Sequence, residues 1–161
     1  MAKYKLITEK GKVEDLIEGA VSEFSSLRDE IEEWKGNMEG TALENTDKYS
    51  RLEEACEILE GIVDKGESLE IDSLPEALRE TEVSYSQSIV RSKRQHASRA
   101  TRAENALNML RAVVSEVEDL LKKGEGEEIS EEDIGSIQSF KSDLEEVISD
   151  AESVEFPGMF G

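Results

Sequence analysis

Apolar side chains recur along this chain at alternating steps of three and four. Val13, Ile17, Ala20, Phe24, Leu27, Ile31, Trp34 and Met38 form the first such run, a sequence of a and d positions that must pair with another helix. Gly36 and Gly40 bracket a polar break. Tyr49, Leu52, Cys56, Leu59 and Val63 then repeat the spacing until Lys65-Gly66, so residues 12–66 read as a helical hairpin. Ser73-Leu74-Pro75-Glu76 has the form of a helix-starting cap, and no Gly or Pro follows until Gly124. That interval allows one helix over 74–123, roughly 75 Å long at 1.5 Å per residue. Its distal half carries a clean seam of Ala103, Ala106, Leu110, Val113, Val117 and Leu120. The same frame carried backwards meets Arg99, His96 and Ser92 before Ile89 and Tyr85. The helix there is therefore expected to be exposed, broken or set against an acidic neighbour.

Gly124 and Gly126 mark a turn, and Ser130 with Asp133 forms a second cap. Ile137, Phe140, Leu144, Val147, Ala151 and Val154 then line one side of a C-terminal helix over 130–154, followed by a tail over 155–161. Residues 4–7 alternate like a short strand but have no evident partner. The expected fold is a single all-α domain over 1–161, an elongated helical bundle of coiled-coil hairpins with one long central helix.

Charge sharpens this picture. The formal net charge is -20, yet Val83 to Ala103 contains no Asp or Glu and holds Arg91, Lys93, Arg94, Arg99 and Arg102. On a helix, Arg91, Arg94, Arg99 and Arg102 fall within about 140° of one another and make one basic face. Three readings stay open for it: neutralising acidic helices of the same bundle, meeting an acidic protein, or binding phosphate. Pairing this segment with its own copy would oppose arginine to arginine, so any homo-oligomer is expected to use another seam. The overall acidity, with a sequence pI near 4.4, repels nucleic acid and anionic membrane, and no direct DNA binding is expected. No apolar run has the length of a membrane span and the amino terminus lacks the apolar core of a signal peptide. A cytoplasmic protein is expected, in the host-cell cytoplasm if the chain is viral. A single cysteine, Cys56, precludes an intrachain disulfide and sits in a helical stripe as a small core residue.

The residues argue against most chemistry. His96 is the sole histidine and stands among arginines, which excludes the multi-histidine zinc and di-iron patterns and suppresses a proton acceptor. Phosphate-binding glycine loops and nucleophile elbows do not occur, and the acidic stretch from Asp64 to Asp72 lacks the glycine an EF-hand requires. Glu53-Glu54-Ala55-Cys56-Glu57 matches by letter the first half of the E-E-x-x-E motif with which all-helical nucleotide pyrophosphohydrolases hold magnesium. The matching E-x-x-D on the next helix is missing, and a solvated face is the plainer reading. No catalytic residue, metal or cofactor is expected.

Ser153-Val154-Glu155-Phe156, with terminal Met159-Phe160-Gly161, resembles the clamp-binding tails of some tailed-phage polymerases and late-transcription coactivators. It departs from them by placing Pro157-Gly158 inside the motif. The resemblance implies that Phe156, Met159 and Phe160 dock into a partner pocket; folding back onto the C-terminal helix as a hydrophobic cap is the plainer reading. Leu27 to Met38, with Thr46 to Tyr49 and Leu52 to Leu59, is similar to small acidic helical proteins of tailed bacteriophages, which implies a source class. The expectation is a non-enzymatic accessory protein that binds a basic or nucleic-acid-binding host or phage protein through acidic helical faces. It would act as an inhibitor or adaptor, in one version as a DNA mimic. The alternatives are a virion or assembly component that multimerises through its heptad seams, and a magnesium-dependent nucleotide pyrophosphohydrolase.

Overall fold

The computed structural model describes residues 3–124 and 129–157. The elements run β1 (Tyr4–Lys12), α1 (Val13–Met38), α2 (Asp47–Glu67), α3 (Glu76–Arg79), β2 (Glu82–Val90), α4 (Arg99–Gly124) and α5 (Glu131–Ser153), with single 3-10 turns at Ala42–Asn45 and Ile71–Ser73. The protein is mostly helical but not all-α, because β1 and β2 form a two-stranded antiparallel ribbon.

Four long helices close into a ring in which α1 packs on α2 and α4, and α5 packs on α2 and α4. Each contributes the stripe its spacing foretold. Phe24, Leu27 and Ile31 of α1, Leu52 and Leu59 of α2, Leu110, Val113 and Val117 of α4, and Ile137, Leu144 and Val147 of α5 are all completely buried. Side chains of this size contribute about 1.5–3 kcal/mol each when removed from water. Cys56 belongs to the same core, and burial pushes its thiol pKa up. Helix starts follow local chemistry. Thr46 Oγ1 accepts the Tyr49 N–H at 3.3 Å to start α2, and Ser130 Oγ accepts the Asp133 N–H at 3.1 Å to start α5. Gly40, at φ +77°, turns the chain after α1.

The single long helix over 74–123 does not form. Ser73 Oγ donates to the Glu70 carbonyl at 2.6 Å instead of capping a helix, and α3 lasts only four residues. The next segment is β2, where Val83, Tyr85, Gln87 and Ile89 alternate with Ser84, Ser86 and Ser88. This period of two, with serines and β-branched residues that helices tolerate poorly, outweighs the lack of Gly and Pro. Its partner is β1, from Tyr4↔Val90 to Lys12↔Glu82, so the alternation at residues 4–7, which had no evident partner and no place in an all-α fold, belongs to a longer, paired strand.

The ladder continues beyond both ends. Arg91 N–H donates to the Lys3 carbonyl at 2.9 Å and Val13 N–H to the Thr81 carbonyl at 3.0 Å. Antiparallel pairs alternate, so the odd-numbered residues of both strands face each other through backbone bonds and the even-numbered ones point their backbone groups outward. On β2 those outward groups meet α4. Asn105 accepts the Ser88 N–H at 2.9 Å and donates to the Ser88 carbonyl at 3.0 Å, while Asn108 donates to the Ser86 carbonyl at 3.2 Å. Asn105 thus does with its side-chain amide what a third strand would do with its backbone.

Two glycines of α2 give opposite predictions. A Cβ on Gly66 would come within 2.7 Å of Val21 Cγ2, a stiff side chain on α1, whereas a Cβ on Gly61 meets nothing within 4 Å. Gly61→Ala should raise stability by about 0.5–1 kcal/mol. Gly66→Ala should lower it, and chemical denaturation of both variants with equal gain would contradict the close approach of α1 and α2.

Candidate functional site

The four arginines singled out by charge do not share one helix face. Arg99 and Arg102 lie on the first turn of α4, which Ser98 Oγ starts by accepting the Thr101 N–H at 3.1 Å. Cations there oppose the helix dipole, and acidic side chains of α1 compensate them. The Arg102 guanidinium grips Glu30 in a fork, Nη1 to Oε1 at 2.9 Å and Nη2 to Oε2 at 2.7 Å, and its Nε reaches Glu23. Arg99 Nε donates to the same Glu30 oxygen at 3.3 Å, and its guanidinium stands 5.3 Å from the Trp34 ring centroid. The Glu30 carboxyl is held below its ordinary value, first by the hydrogen bond from Arg102 and further by the charges of both arginines. Two of the four arginines therefore neutralise an acidic helix of their own bundle.

Arg91 and Arg94 lie in the connection between β2 and α4, both exposed, beside Lys93 and His96. Arg91 Nε donates to the Tyr4 carbonyl at 3.2 Å, which places this turn against the start of β1, where Lys3 and Lys5 are also exposed. The Tyr4 hydroxyl accepts the Ser98 N–H at 2.9 Å, and its hydrogen bonds to Ser98 and then Thr101 bring the phenol pKa down to about 7. The ribbon with its turn is thus a basic ridge on an acidic bundle.

The opposite charge is concentrated on α2. Glu53, Glu57, Glu60, Asp64 and Glu67 are all exposed, and at 100° per residue they fall within about 80° of one another, one carboxylate every 5 Å or so along the axis. Lys48, Arg51 and Lys65 of α2 lie off this stripe. Lys65 instead ties α2 to α5 through Glu146 at 2.9 Å and Asp150 at 2.7 Å. Beside the stripe, Glu32 of α1 faces Glu60. The hydrogen bond to Glu60, then burial, then the Glu60 charge raise the Glu32 carboxyl above its ordinary value. Of the letters that matched half a magnesium motif, Glu53 and Glu57 belong to this stripe, while Glu54 lies about 100° round the helix from Glu53, beside Arg51 and Phe156. Among the described residues no three His, Cys, Asp or Glu side chains converge as a metal site.

One feature was not anticipated. An open cleft of about 710 Å3 is lined by Trp34, Met38, Leu43, Thr46, Asp47, Lys48 and Arg99, with Leu43 54% exposed at its rim. Trp34 at the end of the α1 stripe was the signal for it. At the C-terminal end Phe156 is half-buried against the core, beside Arg51, Ala55 and Ile58 of α2 and near Leu107 and Arg111 of α4. It occupies the position of a cap. Met159 and Phe160 lie outside the described residues. No described helix is long and apolar enough to cross a membrane. No protein-family model matches the chain, and comparison with the curated proteins and with the solved structures finds no match either.

The two electrostatic contacts respond oppositely to pH. Because folding raises the Glu32 carboxyl, the folded state binds its proton more tightly, and stability falls as pH rises through the interval between the unfolded and folded values. Glu60→Gln should raise the melting temperature at neutral pH, and the gain should fade as the pH drops into the carboxylate range. Glu30 is depressed, so its contribution is present above the unfolded carboxylate value and lost as pH falls through the folded one. Arg102→Ala, which strands Glu23 and Glu30, should cost about 1–2 kcal/mol at neutral pH and less in acid. Melting curves of both variants from acid to neutral pH check these signs; a gain for Glu60→Gln that grows in acid would contradict them.

Proposed function

We propose that this chain is a non-enzymatic accessory protein of phage type that binds a host or phage protein through an acidic helical face, as an inhibitor or adaptor. The observation that carries the reading is the α2 stripe of Glu53, Glu57, Glu60, Asp64 and Glu67, aligned, exposed and without an interleaved cation. A surface kept only for solubility has no need to align carboxylates or to bring Glu32 against Glu60, since mixed charges solvate equally well. Like charges pressed together on a surface are relieved when a cationic partner arrives. A duplex presents its phosphates as a dense anionic row, and a row of carboxylates about 5 Å apart offers a nucleic-acid-binding protein a comparable target. The DNA-mimic form of the mechanism is therefore the one this stripe supports.

The alternative, assembly through heptad seams, loses its surface, because those seams are occupied within the chain by the ring of four helices.

Capture from a bacterial lysate on the immobilised protein, followed by mass spectrometry, tests the reading. Basic nucleic-acid-binding proteins should be retained at about 0.05 M salt and released by about 0.5 M, where the screening length is only a few ångströms. Added duplex DNA should compete for them. A variant with Glu53, Glu57 and Glu60 changed to Gln and Asp64 to Asn should capture severalfold less. Equal retention at both salt concentrations, or by the neutralised variant, would contradict the proposal.

A further inference from the structure

The two edges of the ribbon are treated differently. The β2 edge is closed by Asn105 and Asn108, whereas among the described residues the β1 edge has no such helix-borne amides: β1 packs chiefly against β2 and, more sparsely, α1. By the alternation fixed above, Tyr4, Leu6, Thr8, Lys10 and Lys12 aim their backbone groups outward from β1. The Tyr4 carbonyl is taken by Arg91, and Leu6 is 71% exposed. An open strand of nine residues is a template for another strand.

We propose that the occupant is β1 of a second copy, running antiparallel about a two-fold axis at Ile7, so that β2-β1-β1-β2 becomes one continuous sheet. Charge selects this partner and this register. Lysines stand at both ends of the strand, Lys3 and Lys5 before and Lys10 and Lys12 after, leaving Leu6-Ile7-Thr8 unguarded in the middle. With Ile7 opposite Ile7 of the second copy, Lys5 lies directly opposite Glu9, twice by symmetry. Leu6 then lies opposite Thr8 and Tyr4 opposite Lys10. Among the strand residues themselves no like charges are directly opposed, because Lys3 and Lys5 project from one face of the strand and Lys10 from the other; where Tyr4 meets Lys10, the Arg91 side chain must leave the Tyr4 carbonyl for the incoming N–H. A slip of one residue in the centre, to Thr8 opposite Thr8, replaces both ion pairs by Lys5 opposite Gly11 and Ile7 opposite Glu9. Glu9 already accepts from the Tyr85 hydroxyl through Oε2 at 3.2 Å, which leaves Oε1 for the incoming lysine. The acidic bundles lie on the β2 side of each ribbon, away from the new seam. A two-stranded ribbon is marginal alone, and pairing two of them gives a sheet of ordinary size.

Sedimentation of the full chain tests this in about 0.3 M NaCl, where long-range repulsion between the anionic bundles is screened, over roughly 1–500 µM protein. The expected result is a reversible species of twice the 18.0 kDa monomer mass. Thr8→Pro removes an outward N–H and no bond of the β1–β2 ladder, so it should abolish the dimer while leaving the melting temperature nearly unchanged. Lys5→Glu and Glu9→Lys should each weaken dimerisation severalfold, and the double variant should recover it. Ile7→Cys should form an intermolecular disulfide under mild oxidation, since residues opposed at a non-hydrogen-bonded position have Cα atoms about 4.5 Å apart. A monomer at every concentration would overturn the proposal, as would a dimer indifferent to Thr8→Pro or a charge swap without recovery. The charge swap and the disulfide carry the test if Thr8→Pro fails to fold. Partner capture by the α2 stripe can fail without touching any of these outcomes.

Discussion

Four narrow aliphatic stripes close on one another, and the remaining architecture follows from the fact that little else on this chain can be buried. With 37% apolar residues and a charge of -20, a stripe left uncovered would cost the core much of its driving force. The ring of α1, α2, α4 and α5 uses every stripe once. It also imposes a constraint on the connection. Contacts of Arg99 with Trp34 and of Met109 with Gly19 place the start of α4 beside the later turns of α1, so α4 runs antiparallel to α1. The end of α2 and the start of α4 then lie at opposite ends of the bundle, and the chain between them must travel its full length. A strand covers about 3.3 Å per residue and a helix 1.5 Å, so β2 spans that distance in fewer residues.

Once β2 runs along α4, its backbone needs partners on both sides. The amino-terminal strand supplies one side, and Asn105 and Asn108 supply the other. The same passage brings the basic turn at Arg91 to Arg94 beside Lys3 and Lys5, and delivers Arg99 and Arg102 to Glu23 and Glu30. The charge segregation seen along the chain thus becomes two distinct things in space. One pair of arginines fixes α4 on α1 through a half-buried network, and the other contributes to a solvated basic ridge.

The helices that pack through a sustained stripe were legible: α1, α2 and α5 begin and end within a few residues of the positions set by Val13, Met38, Val63, Ser130 and Val154. The distal half of α4 was legible for the same reason. The region from Leu74 to Ser98 was not, because a stretch without Gly or Pro permits a helix, while the alternation of Val83, Tyr85, Gln87 and Ile89 with serine favours a strand only once β1 is there to pair with it. The polar residues met on carrying the α4 frame backwards marked the true break, and an acidic neighbour was among the outcomes that frame allowed for Arg99. The α2 carboxylate stripe was present in the spacing of Glu53, Glu57, Glu60, Asp64 and Glu67, but in so acidic a chain it stands out only when exposure shows that all five share open solvent. The Trp34 cleft depends on where Leu43 and Arg99 come to rest, which no local pattern encodes.

Nuclear magnetic resonance of residues 82–98 tests the account most directly. Extended backbone shifts over Glu82–Val90, with close Hα–Hα contacts between Leu6 and Ser88, Thr8 and Ser86, and Lys10 and Ser84, are the predicted result. Helical shifts running unbroken from Glu76 to Gly124 without those contacts would contradict it, and with it the ribbon, the arginine placement and the surfaces built on them.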